Sequence, residues 1–396
     1  MYNVGCGGHS SYRYQLIQAL TLDFSWSKHG QPGRLTRIVS GCTDDDERRA
    51  AMMQTSIQSP SDLARFDVWF TEKNDTVNGV KYVMFNRPTA LIKFFATQPT
   101  PEDTIYGVLD PDFVFLHTIP ASTLAKVDHH EPVSAFYSLG SKWVSWGKEI
   151  CESHVAGNIG DCSTFGPRLR PLSQTIYEGG APYFMSKSDW QELLPVWISV
   201  MPATHKFYAG IESDMYAYMI SLVLLGMKQT LETNLMRTCM ITKNVRMDDE
   251  TVFVHYCQRY HVQETRGGPY NVNNASEFMR PGQYIEAVSR HTYSFSKYWM
   301  QARGSQDWIL ECESPLLVEP PKLSNIFFAN LREPSLQRKD YAVLRALVPA
   351  INDALAAFKS KVCPSQGRKI NLARSMILHE SHKHTKHLLN SIIPAT

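Results

Sequence analysis

The first forty residues constrain the fold more than any other stretch. An apolar run, Met1 to Val4, ends at Gly5-Cys6-Gly7-Gly8. A helical pattern follows, with Tyr14, Ile17, Leu20, Thr21 and Phe24 on one face, and after the turn Gln31-Pro32-Gly33 the apolar run returns as Leu35 to Val39. Strand, helix, strand is the unit of a parallel sheet, and a parallel sheet places the chain in the α/β class. The composition allows such a core: 43% of the 396 residues are hydrophobic and 20% are charged. That balance excludes disorder and collagen-like structure. The length fits one large α/β domain or two to three smaller ones.

The same reading continues along the chain. Phe66 to Phe70, Ile105 to Leu109, Val133 to Tyr137 and Val252 to Tyr256 are expected as strands, the second of them buried. Arg87 to Phe95, Lys187 to Ser199 and Glu212 to Met227 are expected as helices. Pro88 falls in a first helical turn, where proline is tolerated. Residues 141 to 175 read as an irregular flap, and 258 to 290 as a long polar loop or lid. Ser335 to Lys361 reads as a helix that Pro349 should kink or split. The charge run Asp44-Asp45-Asp46-Glu47-Arg48-Arg49 is a solvated helix start or loop. No linker of different composition divides the chain. The expectation is one large domain over 1–330 and a helical extension over 331–396.

Charge and targeting narrow the classes. Lys and Arg number 40 against 38 Asp and Glu, a formal charge of +2. Bulk electrostatics therefore do not mark a nucleic-acid binder. The longest greasy run, Met215 to Met227, is short of the ~20 residues of a membrane span, so no membrane contact is expected. Met1 is followed by no basic n-region. The expectation is a soluble protein of the cytosol or nucleus, or a chain from which an anchor was removed. The eight cysteines include no CxxC pair, which argues against a zinc ribbon. They are either disulfides, with Cys151 and Cys162 as the close pair, or buried thiols. Two sequons occur, at Asn74 and Asn274.

Asp110-Pro111-Asp112 directly follows Ile105 to Leu109. Ligands of open α/β sheets sit beyond the carboxyl ends of the strands. Two carboxylates there can hold Mg²⁺ or Mn²⁺, which prefer oxygen; on spacing alone a solvated turn is equally an answer. His255, near the end of a late strand, could complete the site or be a hydrogen-bonded core histidine. Gly5-x-Gly7-Gly8 is a phosphate-edge loop at Gly7 or a simple tight turn. The dinucleotide fingerprint fails because its third glycine falls at Ser10. G-x-x-x-x-G-K-[ST], H-E-x-x-H and G-x-S-x-G are all absent. Asp214 stands beside the apolar stripe Met215, Tyr218, Met219, Leu222, where an acid needs a partner or a task.

Taken in order, several segments resemble the plant and algal peptidyl glycosyltransferases, the hydroxyproline O-arabinosyltransferases and peptidyl-serine α-galactosyltransferases. They are Thr36-Arg37-Ile38, Asn86-Arg87-Pro88, Asp110-Pro111-Asp112-Phe113-Val114-Phe115, Glu178-Gly179-Gly180-Ala181-Pro182 with Leu194-Pro195-Val196-Trp197, Asp214-Met215-Tyr216-Ala217-Tyr218, Phe253-Val254-His255-Tyr256 and Tyr293-Ser294-Phe295-Ser296-Lys297. The resemblance runs from Tyr2 to about Pro349. It departs at Asp214, where Glu is expected, at Ser296, where Asp is expected, and over 258–290, which is longer.

The resemblance implies a GT-A glycosyltransferase fold, a mostly parallel central sheet flanked by helices, with a C-terminal helical appendage. It implies a UDP-sugar donor, Mn²⁺ or Mg²⁺, and a hydroxyl of hydroxyproline or serine in a peptide as acceptor, with retention. Asp110, Asp112 and His255 would hold the metal. Asp110, Gly179, Gly180, Ala181, Asn86 and Gly7 would line the donor. Asp214, Arg87 and Lys297 would act on the reacting groups. Two other classes remain: a glycosyltransferase for a hydroxymethylated nucleobase, with Arg259, Arg266, Arg280 and Arg290 lining a strand groove, and a non-catalytic carbohydrate-binding descendant.

Overall fold

The computed structural model describes residues 1–6, 11–43, 45, 48, 52, 57–154, 161–238, 250–256, 259–263, 292–296, 310, 312, 316–317, 319–320 and 334–363. The opening unit forms as its pattern requires. β1 (Tyr2–Gly5) leads through α1 (Ser11–Lys28) to β2 (Leu35–Ser40), which lies parallel to it with Tyr2 opposite Arg37 and Gly5 opposite Ser40. β3 (Phe66–Thr71) adds parallel to β2. β4 (Thr76–Val77) and β5 (Val80–Lys81) make a small antiparallel hairpin. Its two central residues, Asn78 and Gly79, both have positive φ, the demand of a type I′ turn. α2 (Asn86–Thr97) carries Pro88 in its first turn and buries Ala90, Leu91, Phe94 and Phe95.

β6 (Ile105–Val108) and β7 (Phe113–Phe115) flank the acidic turn. β8 (Val133–Phe136), α3 (Trp143–His154), β9 (Gly179–Ser186), α4 (Lys187–Phe207), α5 (Ser213–Leu224) and β10 (Thr230–Glu232) follow. A second sheet has the order β10-β8-β9-β6. In it β8 and β10 are parallel, while β9 is antiparallel to both β8 and β6. A parallel bridge between Tyr2 and Leu109 joins the two sheets, with the Leu109 N–H donating to the Met1 carbonyl at 2.8 Å. β11 (Met236–Thr238), β12 (Phe253–His255) and β7 make a third sheet, and β13 (Arg259–Gln263) pairs antiparallel with β14 (Thr292–Ser296). The fold is mixed α/β, built from several small sheets.

Four expectations change. Residues 141 to 175 hold α3 and three short helical turns, Cys162–Phe165, Leu169–Leu172 and Ser173–Tyr177. Trp143, Val144, Ile150 and Cys151 are buried on one face of α3, and this stripe outweighs the Ser, Gly and Lys between them. α4 continues through Pro195 and Pro202 to Phe207. α6 (Pro334–Val362) likewise continues through Pro349. Packing of these helices overrides the local cost of proline. β6 is only partly buried, since Ile105 is exposed and burial begins at Val108. Residues 264 to 290 of the expected lid, the tail from Gly367 and most of the charge run lie outside the described residues.

α6 contains the described residues' one segment, Tyr341–Val362, long and apolar enough to cross a membrane. Its stripe of Val343, Leu344, Leu347, Val348 and Ile351 packs with Ile17 of α1, Val114 of β7 and Val254 of β12. The Asn352 amide holds both backbone groups of Leu317, each at 2.8 Å. Disulfides join Cys6 to Cys42, Cys151 to Cys162 and Cys312 to Cys363.

α1 is fixed to the first sheet by a buried charge network. Arg37 of β2 pairs with Asp23 of α1 and donates from Nε to the Tyr2 hydroxyl at 2.8 Å; that hydroxyl donates to Asp23 at 2.7 Å. Arg37 also lies over the Phe66 ring. Buried charge is tolerable only when paired and hydrogen-bonded in this way.

Candidate functional site

The strand order reverses at β1. The chain leaves β1 for β2 and β3 on one side, then returns through α2 to β6 on the other. A crevice at the carboxyl end of such a reversal is where open α/β sheets bind ligands. Asp110 and Asp112 stand there, in the turn between β6 and β7. β12 lies antiparallel to β7 with His255 opposite Phe113, which brings the imidazole to the acids. His255 Nε2 is 3.2 Å from Asp112 Oδ1 and 3.9 Å from Asp110 Oδ2. One ligand atom from each of the three residues lies within 4.8 Å of the other two. Two oxygens and one nitrogen fit a hard or borderline divalent ion. The other ring nitrogen, Nδ1, faces the Tyr137 hydroxyl at 3.1 Å and Thr238 Oγ1 at 3.4 Å. Such outer contacts fix the orientation of a ligating imidazole.

A second group adjoins the first. Arg87, in the first turn of α2, pairs with Asp110 and also reaches Asp214 at 3.3 Å. Asp214 sits in the first turn of α5, where the helix dipole favours a carboxylate. Its backbone is clamped by Trp197 Nε1 on the carbonyl at 2.9 Å and by its own N–H on the Tyr82 hydroxyl at 3.3 Å. Burial pushes the Asp214 carboxyl up to about 6, against the pull of Arg87 and with a further push from Asp110. Asp110 thus joins the two groups, paired with Arg87 on one side and facing His255 on the other.

The structure places the other expected residues differently. Asn86 holds the chain locally, accepting the Asn74 N–H at 2.7 Å and donating to the Val83 carbonyl at 2.8 Å. The space beside Gly179 and Gly180 is filled by protein. A Cβ on Gly179 would lie 2.3 Å from Ser134 Oγ, and one on Gly180 would lie 2.3 Å from the Tyr137 ring. Gly180 thus lets Tyr137 approach β9, and Tyr137 in turn reaches His255. Ala181 is buried in the same strand. Gly7, Lys297 and the side chains of the four arginines lie outside the described residues.

Sequence reasoning gave no role to Tyr137, Thr238, Tyr82 and Trp197, whose contacts depend on which elements become neighbours. Glu178 was visible only as part of a motif. Its side chain is buried with Oε1 lacking a hydrogen-bond partner. Burial raises its carboxyl, partly offset by the Gly140 and Leu139 backbone.

Comparison with known proteins adds a distant likeness. No family model matches the chain. The chain is similar to two hydroxyproline O-arabinosyltransferases. These are PLENTY of Lotus japonicus and NOD3 of Pisum sativum, each 23% identical over 210 residues. The match covers 51% of this chain, 50% of the Lotus protein and 54% of the pea protein. The chain therefore spans about half the length of the curated relatives it matches.

Proposed function

We propose that this chain is a metal-dependent glycosyltransferase with a GT-A-type core. It moves a sugar from a UDP-sugar to a hydroxyl of hydroxyproline or serine in a peptide, with retention. The observation that carries this reading is the convergence of Asp110, Asp112 and His255 at the reversal of strand order. The likeness to proteins named for hydroxyproline arabinosylation supports the acceptor class. The disulfides among the described residues support an oxidising compartment such as the Golgi lumen.

Asp110, Asp112 and His255 would hold Mn²⁺ or Mg²⁺. When bound, the ion supplies positive charge against the diphosphate leaving group. The protein's own groups do the rest by position and electrostatics. Tyr137 and Thr238 keep the His255 ring turned toward the acids. Arg87 holds Asp110 and Asp214 at fixed separation. Asp214, ionised above pH ~6, places negative charge where the anomeric carbon turns positive. The bond from that carbon to the diphosphate oxygen breaks as a bond to the acceptor oxygen forms on the same face. The acceptor proton passes to the departing diphosphate.

The test is a donor screen by calorimetry with Mn²⁺, followed by transfer assays on hydroxyproline and serine peptides. Saturable binding of one UDP-sugar and a glycosylated peptide are expected, with transfer abolished in Asp112→Ala and His255→Ala. Transfer at the full rate in either variant, or a complete absence of donor binding and hydrolysis, would overturn the reading.

A further inference from the structure

A second cluster of metal-ligating side chains lies at the other end of β8. The short turn before this strand is closed in both directions. Asp128 N–H donates to the Glu131 carbonyl at 3.2 Å, and Glu131 N–H donates to the Asp128 carbonyl at 2.9 Å. Its two central residues are His129 and His130. His130 has φ of +59°, a left-handed conformation in which Gly or Asn is usual. Burial does not explain this choice, because the His130 side chain is 33% exposed and that of His129 69%.

The turn is instead held against carboxylates. Asp189, in the first turn of α4, is fully buried. It accepts the His130 N–H at 3.2 Å and faces His129 Nδ1 at 2.8 Å. Glu192, one turn along the same helix, faces His130 Nε2 at 2.8 Å. Lys228 N–H donates to the His130 carbonyl at 3.0 Å and fixes the turn from its other side. The two imidazole rings sit 4.1 Å apart between centroids. One ligand atom each from His129, His130 and Asp189 lies within 4.8 Å of the other two.

We propose that His129, His130 and Asp189 form a zinc site separate from the Asp110–Asp112–His255 cluster. Two imidazoles and one carboxylate match the nitrogen and oxygen preference of Zn²⁺ and the three protein ligands of a zinc site with an open position. Glu192 lies beside the site and faces the His130 ring at 2.8 Å. His129 Nδ1 already faces the Asp189 carboxylate, so zinc takes the place of the shared proton. The left-handed turn is the strained element that presents both rings. Extended chain from His130 to Tyr137 spans on the order of 20 Å, so the site acts on the sheet's far end. There it clamps the β8 approach to the start of α4.

The test is Zn²⁺ titration of the full chain by calorimetry, with Co²⁺ absorption as a readout of ligand geometry. Wild type should bind Zn²⁺ here and give the intense visible bands of tetrahedral Co²⁺. His130→Gly removes one ligand while suiting the left-handed backbone. His129→Ala truncates an exposed ring and serves if His130→Gly disturbs folding. Both should lose the bands and weaken Zn²⁺ at this site by at least about tenfold, and Asp112→Asn should keep the bands. Bands and zinc affinity unchanged in both histidine variants, or bands lost in Asp112→Asn alone, would overturn the proposal.

Discussion

Asp214 holds its proton unusually late for an aspartate, and that has a measurable sign. Its carboxyl is raised to about 6 from an ordinary 3.8, chiefly by burial. Below pH ~4 it is protonated in both folded and unfolded chains. Between about 4 and 6 the folded chain binds more protons, so this group's contribution to stability falls as pH rises. Above 6 the contribution is level. Asp214→Asn should therefore lack this downward slope, which thermal unfolding of both proteins across pH 4 to 7 would reveal; parallel profiles would contradict it. Tyr137 acts on the His255 ring from a distance of 118 residues in sequence. Tyr137→Phe should weaken metal binding roughly 10–100-fold while leaving the fold intact, as read by calorimetry and circular dichroism. Asp110, Asp112 and His255 were legible because acids after a strand and a histidine at a strand end are local patterns. Tyr137 and Thr238 were not, because their meaning arises only when β8, β11 and β12 are brought alongside one another.

Elements show the same division. The β1–α1–β2 unit was readable because its hydrophobic period changes twice within forty residues. α3 was not, because its buried stripe of Trp143, Val144, Ile150 and Cys151 is diluted by Ser, Gly and Lys. The persistence of α4 and α6 through their prolines could not be read locally, since it depends on tertiary burial such as that of Val348 and Ile351. The antiparallel setting of β9 was equally invisible, as strand direction is a property of connections. The seam between α1 and the first sheet carries a sharper expectation. Asp23→Ala would leave the Arg37 guanidinium buried without its carboxylate. A loss of about 3–5 kcal/mol is expected, measurable by denaturant unfolding. A loss within ~0.5 kcal/mol would show that the network contributes little.

At the scale of the whole molecule, the covalent cross-links reach far along the chain. Cys312 and Cys363 are 51 residues apart and tie α6 to a distant segment. Closing a loop of that length restricts the unfolded chain by about 4 kcal/mol in the chain-entropy account. Cys312→Ser should lower the unfolding free energy by an amount of that order, and an unchanged denaturation midpoint would contradict it. Cys6 and Cys42 do something different. They follow the carboxyl ends of β1 and β2, on the rim where the proposed donor enters. A rim already stapled has less freedom to lose when a guest arrives. With this bridge removed, calorimetry of donor binding should show an unfavourable change in entropy at little change in enthalpy. The cross-link is then a prepaid part of recognition, set in place when the protein is oxidised.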